Sequence, residues 1–237
     1  MSPTRAAYAA ELAALPEEGW ADYLSARSGL PGPRANLTLL DAAADVMPHD
    51  LALRLVDEAD EYLACCGVAT LGRLIVEDPA ACGLVGLLTT RCSDERWRVR
   101  EACAIAAQRI GDADAPLLRG IVEAWTSSSD PLVVRAGIAA ICEPRLLKDS
   151  RTAAAALVAC RRATEHLLSV PADGRRAADI RTLRQALGYC WSVAVAAAPD
   201  SGLAAFAELP TEDADVDWIV RENRKKKRLA GLLGVAP

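Results

Sequence analysis

A chain of 237 residues that is 52% hydrophobic and 25% charged can bury a sizeable core, and this composition excludes intrinsic disorder. No apolar run approaches the roughly 20 residues that a membrane span requires, so no membrane partner is expected. The net charge of −5 hides an asymmetry that makes the N-terminal half acidic and leaves basic patches near the C-terminus: residues 1–94 hold 6 Arg against 14 acidic residues, residues 151–190 hold 7 Arg against 3, and residues 215–237 hold 6 basic against 3 acidic.

The start, Met1-Ser2-Pro3-Thr4-Arg5, lacks the apolar core and small-residue cleavage site of a signal peptide, which sets the expectation of a cytoplasmic protein. Ala6 to Leu15 is apolar at helical spacing, and Trp20, Tyr23 and Leu24 continue the face after Pro16, so residues 1–47 read as an N-terminal helical cap. Ser28-Gly29-Leu30-Pro31-Gly32-Pro33 is the strongest breaker in the chain. It reads as a helix–helix connector or a recognition loop, with Pro33 suited to the first turn of a helix over 34–46.

From Pro48 the predicted helices fall into pairs: 48–58 with 60–77, 79–91 with 94–110, 114–127 with 130–147, 151–169 with 175–198, and 200–208 with 214–230. Pro79, Pro116 and Pro131 are expected in first turns, and Ser93 or Asp94 and Ser129 or Asp130 as N-caps. Asp57-Glu58-Ala59-Asp60-Glu61 reads as a solvated acidic turn, without the oxygen spacing of a calcium loop.

One stretch recurs. Asp94-Glu95-Arg96-Trp97-Arg98-Val99-Arg100 runs into an Ala-rich helix, and a shift of 35 residues places Val134, Arg135 and Gly137 on Val99, Arg100 and Ala102. The reverse shift places Tyr62 on Trp97 and Gly67 on Ala102, with Cys65 in the place of the Arg. A further copy, at a longer spacing, has Trp218, Val220 and Arg221 for Trp97, Val99 and Arg100, and Leu183 to Leu187 is a fainter one. An Asp followed by Val-Arg and an apolar helix resembles the second helix of a HEAT repeat. That resemblance implies an all-α, α-α superhelix, a HEAT-like solenoid of about five helix pairs in which residues 48–237 form one continuous domain with the cap. It also implies a structural ladder in which Arg100, Arg135 and Arg221 reach the neighbouring repeat beside Asp94, Asp130 and Asp215, broken at Cys65.

Chemistry is sparse. No nucleotide-binding, zinc-protease or serine-hydrolase motif is present, and His49 and His166 lie far apart. Eight Cys, most of them single residues in apolar helical segments, read as reduced buried thiols; no catalytic residue, cofactor or metal is expected. HEAT-like alkylpurine DNA glycosylases line a basic groove with Trp, of which Trp97, Trp125, Trp191 and Trp218, with Asp217 beside the last, are a loose echo carrying no catalytic role here. HEAT-like bilin lyases are a second comparison, with no chromophore-handling site singled out.

Two function classes follow. One is a non-catalytic protein-interaction scaffold binding a partner protein on its concave face or basic C-terminal end. The other is nucleic-acid binding, with glycosylase-like chemistry as one form of it. The candidate partner or phosphate contacts are Arg175, Arg176, Arg181, Arg184, Arg224, Lys225, Lys227 and Arg228.

Overall fold

The computed structural model describes residues 3–79 and 83–234. Among them every regular element is a helix and none is a strand, the outcome expected when straight-chain and Ala residues dominate. The chain divides into two compact units, Met1–Ala113 and Asp114–Pro237.

The first unit holds α1 (Arg5–Ala13), α2 (Trp20–Arg27), α3 (Leu37–Val46), α4 (His49–Leu55), α5 (Glu61–Glu77), α6 (Leu84–Arg91) and α7 (Trp97–Ala113). In this unit α1, α3, α5 and α7 pack side by side in that order, with α4 against α5 and α6 against both α5 and α7. Helices α1 and α3, from the segment read as a cap, join the same row as α5. Leu12, Leu39, Leu71, Val99 and Ile110 are fully buried within it.

The second unit holds α8 (Ala115–Thr126), α9 (Pro131–Ile141), α10 (Ser150–Ser169), α11 (Ala178–Ala197), α12 (Pro199–Ala207), α13 (Ala214–Arg224) and α14 (Lys227–Leu232). Here α11 is central: α9, α10, α12, α13 and α14 all pack on it. Trp191, Leu183, Ile138 and Ile219 lie at the centre of this core with no exposed surface.

Asp side chains start the helices that the repeat marked. Asp60, Asp94, Asp130 and Asp213 each accept the amide two residues ahead, at 2.8, 2.9, 2.8 and 3.0 Å, which satisfies donors that a helix start leaves free. The cap of α13 is thus Asp213 and not Asp215. The echo at 35 residues has a steric meaning too. A Cβ on Gly67 would lie 2.6 Å from the Val56 amide nitrogen, and one on Gly137 would lie 3.0 Å from Thr126 Cγ2, so in both pairs the small residue marks where a helix meets its predecessor.

Two expected starts move and one expected helix divides. Pro33 lies outside α3, whose cap is Asn36; Pro79 lies outside α6, which begins at Leu84, with residues 80–82 of the expected helix outside the described residues. The expected helix over 214–230 breaks at Lys226, whose backbone is extended. An unbroken helix would set Arg224 one turn from Lys227 and Arg228, a like-charge cost, whereas the break lets Leu229 and Ala230 bury in the contact with α11.

Candidate functional site

The expected ladder residues do not share one arrangement. Arg100 Nη1 donates to the carbonyls of Asp94 (2.6 Å) and Glu95 (3.0 Å), closing the turn that leads into its own helix. The Asp94 carboxylate is held by Arg96 at 2.8 Å and by Arg91 at 3.7 Å; the hydrogen bond from Arg96 outweighs burial and keeps this carboxyl below its usual value. Asp130 caps α9, on which Arg135 is half-buried. Asp215 and Arg221, expected as one rung, separate: Asp215 receives Arg184 at 3.0 Å and Arg175 at 3.5 Å, while Arg221 is exposed and pairs with Asp217 one turn back.

The acidic turn at Asp57–Glu61 is solvated as expected, with residues 57–60 exposed, and it also receives arginines from elsewhere in the unit. Asp57 pairs with Arg91, the carbonyls of Glu58 and Ala59 accept from Arg96, and Glu61 pairs with Arg98. Nothing in the local sequence signals this, because the arginines arrive from α6 and from the start of α7.

The eight candidate cations divide into two sets. Arg175 is built into the fold: its guanidinium donates to the carbonyls of Val170 (2.7 Å) and Leu168 (3.1 Å) and to Asp213 (2.6 Å). Burial pushes the Asp213 carboxyl up, but Arg175 and the amides of Val216 and Asp215 outweigh it and leave it below its usual value. Arg184 lies over the Trp218 ring at 4.2 Å while holding Asp215. Neither arginine is available to an external phosphate without giving up these contacts.

The second set faces solvent. Arg176, Arg181, Arg224, Lys225, Lys227 and Arg228 are exposed, and among the described residues Arg176, Arg181, Arg224 and Lys227 pair with no carboxylate. Lys225 holds Glu222 at 2.5 Å and so keeps its carboxyl low.

Two residues at this end of the chain, one exposed and one buried, were not anticipated. Tyr189, on α11, is 43% exposed, accepts a hydrogen bond from Arg228 at 2.9 Å and lies beneath the Arg228 guanidinium. Asn223, fully buried on α13, accepts from the Ser192 amide and donates to the carbonyls of Leu187 and Ile219, each at 2.8 Å. A lone Asn just before a run of cations reads as surface, so only the packing of α13 on α11 exposes its role.

The Trp set divides as well. Trp125 and Trp191 are core residues, Trp191 donating to Thr164 Oγ1 at 3.1 Å; Trp97 is exposed under Arg98 and Trp218 is half-buried under Arg184. None of the seven described cysteines forms a disulfide and all are buried, with burial pushing the Cys65 thiol up to about 12; Cys82 lies outside the described residues. Among the described residues no group of three His, Cys, Asp or Glu is placed to hold a metal. No described helix is long and apolar enough to cross a membrane.

Comparison with protein-family models and with curated proteins returns no match.

Proposed function

We propose that this chain is a non-catalytic protein-interaction scaffold of HEAT-repeat type, a HEAT-like α-solenoid whose basic C-terminal end binds an acidic partner protein. The observation that carries this reading is the exposed cation set on α11, α13 and α14: Arg181, Arg224 and Lys227 stand in solvent without a carboxylate of their own among the described residues. A terminal helix is not required to keep such charges for folding, and unpaired cations at the end of a helical stack raise the encounter rate with an acidic surface. Support for the repeat architecture comes from the Asp caps and from Gly67 and Gly137 at equivalent helix approaches. Seven buried thiols without a disulfide among the described residues fit a reducing, cytoplasmic setting.

A nucleic-acid role, or an alkylated-base glycosylase-like one, fits less well. Two of the arginines it needs, Arg175 and Arg184, are held by Asp213 and Asp215, and Trp125 and Trp191 are unavailable for stacking on bases.

The test is the triple variant Arg224→Glu, Lys225→Glu, Lys227→Glu, with far-ultraviolet circular dichroism as the folding control. Fluorescence anisotropy against a labelled Glu-rich peptide should show binding weakened by about tenfold or more at unchanged helix content. Equal binding by wild type and variant would overturn the assignment of the basic end. Stronger binding of wild type to a short DNA duplex than to the peptide would favour the nucleic-acid reading instead.

A further inference from the structure

The basic end carries more than charge. On α11, Arg181, Gln185 and Tyr189 are all exposed and recur every four residues, so they share one face of the helix. On α14, Arg228 and Leu232 share a face for the same reason, and Arg228 reaches Tyr189 Oη, so the two stripes meet at the Tyr189 ring. The Lys226 ammonium lies 5.8 Å from the centre of that ring. Beyond it, Leu232 is 40% and Leu233 36% exposed, so that large apolar side chains and cations occupy the same two helices.

Tyr189 is fixed from beneath. Asn223 ties the Leu187 carbonyl to the Ser192 amide, two groups that flank Tyr189 in the middle of α11, and Ser192 Oγ donates to the Tyr189 carbonyl at 2.7 Å. A side chain bonded into a helix backbone in this way holds the segment in one geometry, which lowers the ordering cost of binding. Of the five N–H donors on Arg228, the bond to Tyr189 uses one and leaves others for a carboxylate.

We infer that the surface formed by Tyr189, Arg228 and Leu232, flanked by Arg181 and Lys227, docks an acidic amphipathic protein segment. Its aliphatic side chains rest against Tyr189 and Leu232 while its carboxylates meet the cations. The inference rests on the proposed role of the basic end and adds an apolar requirement to it. Exposed leucines contribute nothing to a phosphate backbone. The overall charge of −5 repels an extended polyanion or an anionic bilayer beyond the patch itself. A short segment matched to the patch meets little of that repulsion.

The experiment uses the full chain and two labelled synthetic peptides of equal length and charge, one built from Glu and Leu to be amphipathic, the other with Ser replacing Leu. Wild type should bind the Glu/Leu peptide about tenfold more tightly than the Glu/Ser peptide. The double variant Tyr189→Ala, Leu232→Ser should erase that preference without changing its affinity for the Glu/Ser peptide, whereas Tyr189→Phe should keep most of it. Both substituted side chains are substantially exposed, so thermal unfolding should be unchanged and serves as the control. Equal binding of the two peptides to wild type, or a preference that survives in the double variant, would overturn the inference while leaving the basic-end reading intact. Tighter binding to phosphatidylserine vesicles or duplex DNA than to the Glu/Leu peptide would also overturn it. Failure of both peptides to bind wild type would remove the basic-end reading itself.

Discussion

The two units join their central helices by different physical means. Between α5 and α7 the contact is backbone on backbone: a Cβ on Gly72 would lie 2.3 Å from the Ala106 carbonyl oxygen. Between α11 and α13 it is a polar side chain on backbone, with Asn223 completing hydrogen bonds inside α11, while the Trp218 ring covers Gly188. Close apolar contact tolerates no added atom, and a buried amide tolerates no lost one. The units also treat their charges differently. Residues 1–113 carry 10 Arg against 17 acidic residues, and Arg5, Arg54, Arg73, Arg91, Arg96, Arg98 and Arg109 are all engaged by carboxylates there. Residues 114–237 leave more cations in solvent than the first unit, where Arg27 and Arg34 are exposed without a carboxylate partner among the described residues, so the second unit offers an external anion more donors not already committed.

The largest effect is expected at the polar joint. Asn223→Ala leaves the Leu187 carbonyl and the Ser192 amide without their side-chain partner and opens a small cavity, a loss of about 4 kcal/mol in chemical unfolding. A loss below about 1 kcal/mol would mean that α11 closes its own backbone bonds and that the two joints do not differ in kind.

Next comes the apolar joint. Gly72→Ala should cost about 3 kcal/mol, because the new methyl meets backbone that cannot rotate away. Gly137→Ala meets Thr126 Cγ2 and Trp125 Cβ instead, and with the helix propensity gained should stay within about 1 kcal/mol of wild type. Equal melting temperatures for these two variants would break the distinction between backbone and side-chain contact.

The smallest effect concerns the committed charges of the first unit. Asp94→Asn keeps a capping side chain but removes the charge held by Arg96 and Arg91, costing about 1 kcal/mol at neutral pH. A carboxyl lowered on folding stabilises the native state above the ordinary carboxylate range and ceases to do so as pH falls through its lowered value. The stability gap between wild type and Asp94→Asn should therefore close under acid, and a gap independent of pH would show that the charge plays no part.

Helices and most of their starts were legible in the chain, because an Asp cap, a Pro and an apolar period act over a few residues; the expected pair 200–208 with 214–230 was not, since α12 and α13 each pack on α11. The positions of Gly67 and Gly137 were legible for a related reason: a repeated small residue reports a repeated close approach. What the tertiary structure alone decided was the fate of each charge. Arg175 and Arg176 are neighbours of identical type, yet one is bonded to Asp213 and two carbonyls and the other is exposed, because the carboxylate that captures Arg175 arrives with α13 from 38 residues away. Arg221 was likewise misplaced as a ladder rung, since the nearest carboxylate along its own helix competes with any neighbour. Local rules determine where the backbone turns. Whether a polar side chain is consumed or offered depends on what packs against it, as Asn223 and Tyr189 demonstrate on facing helices.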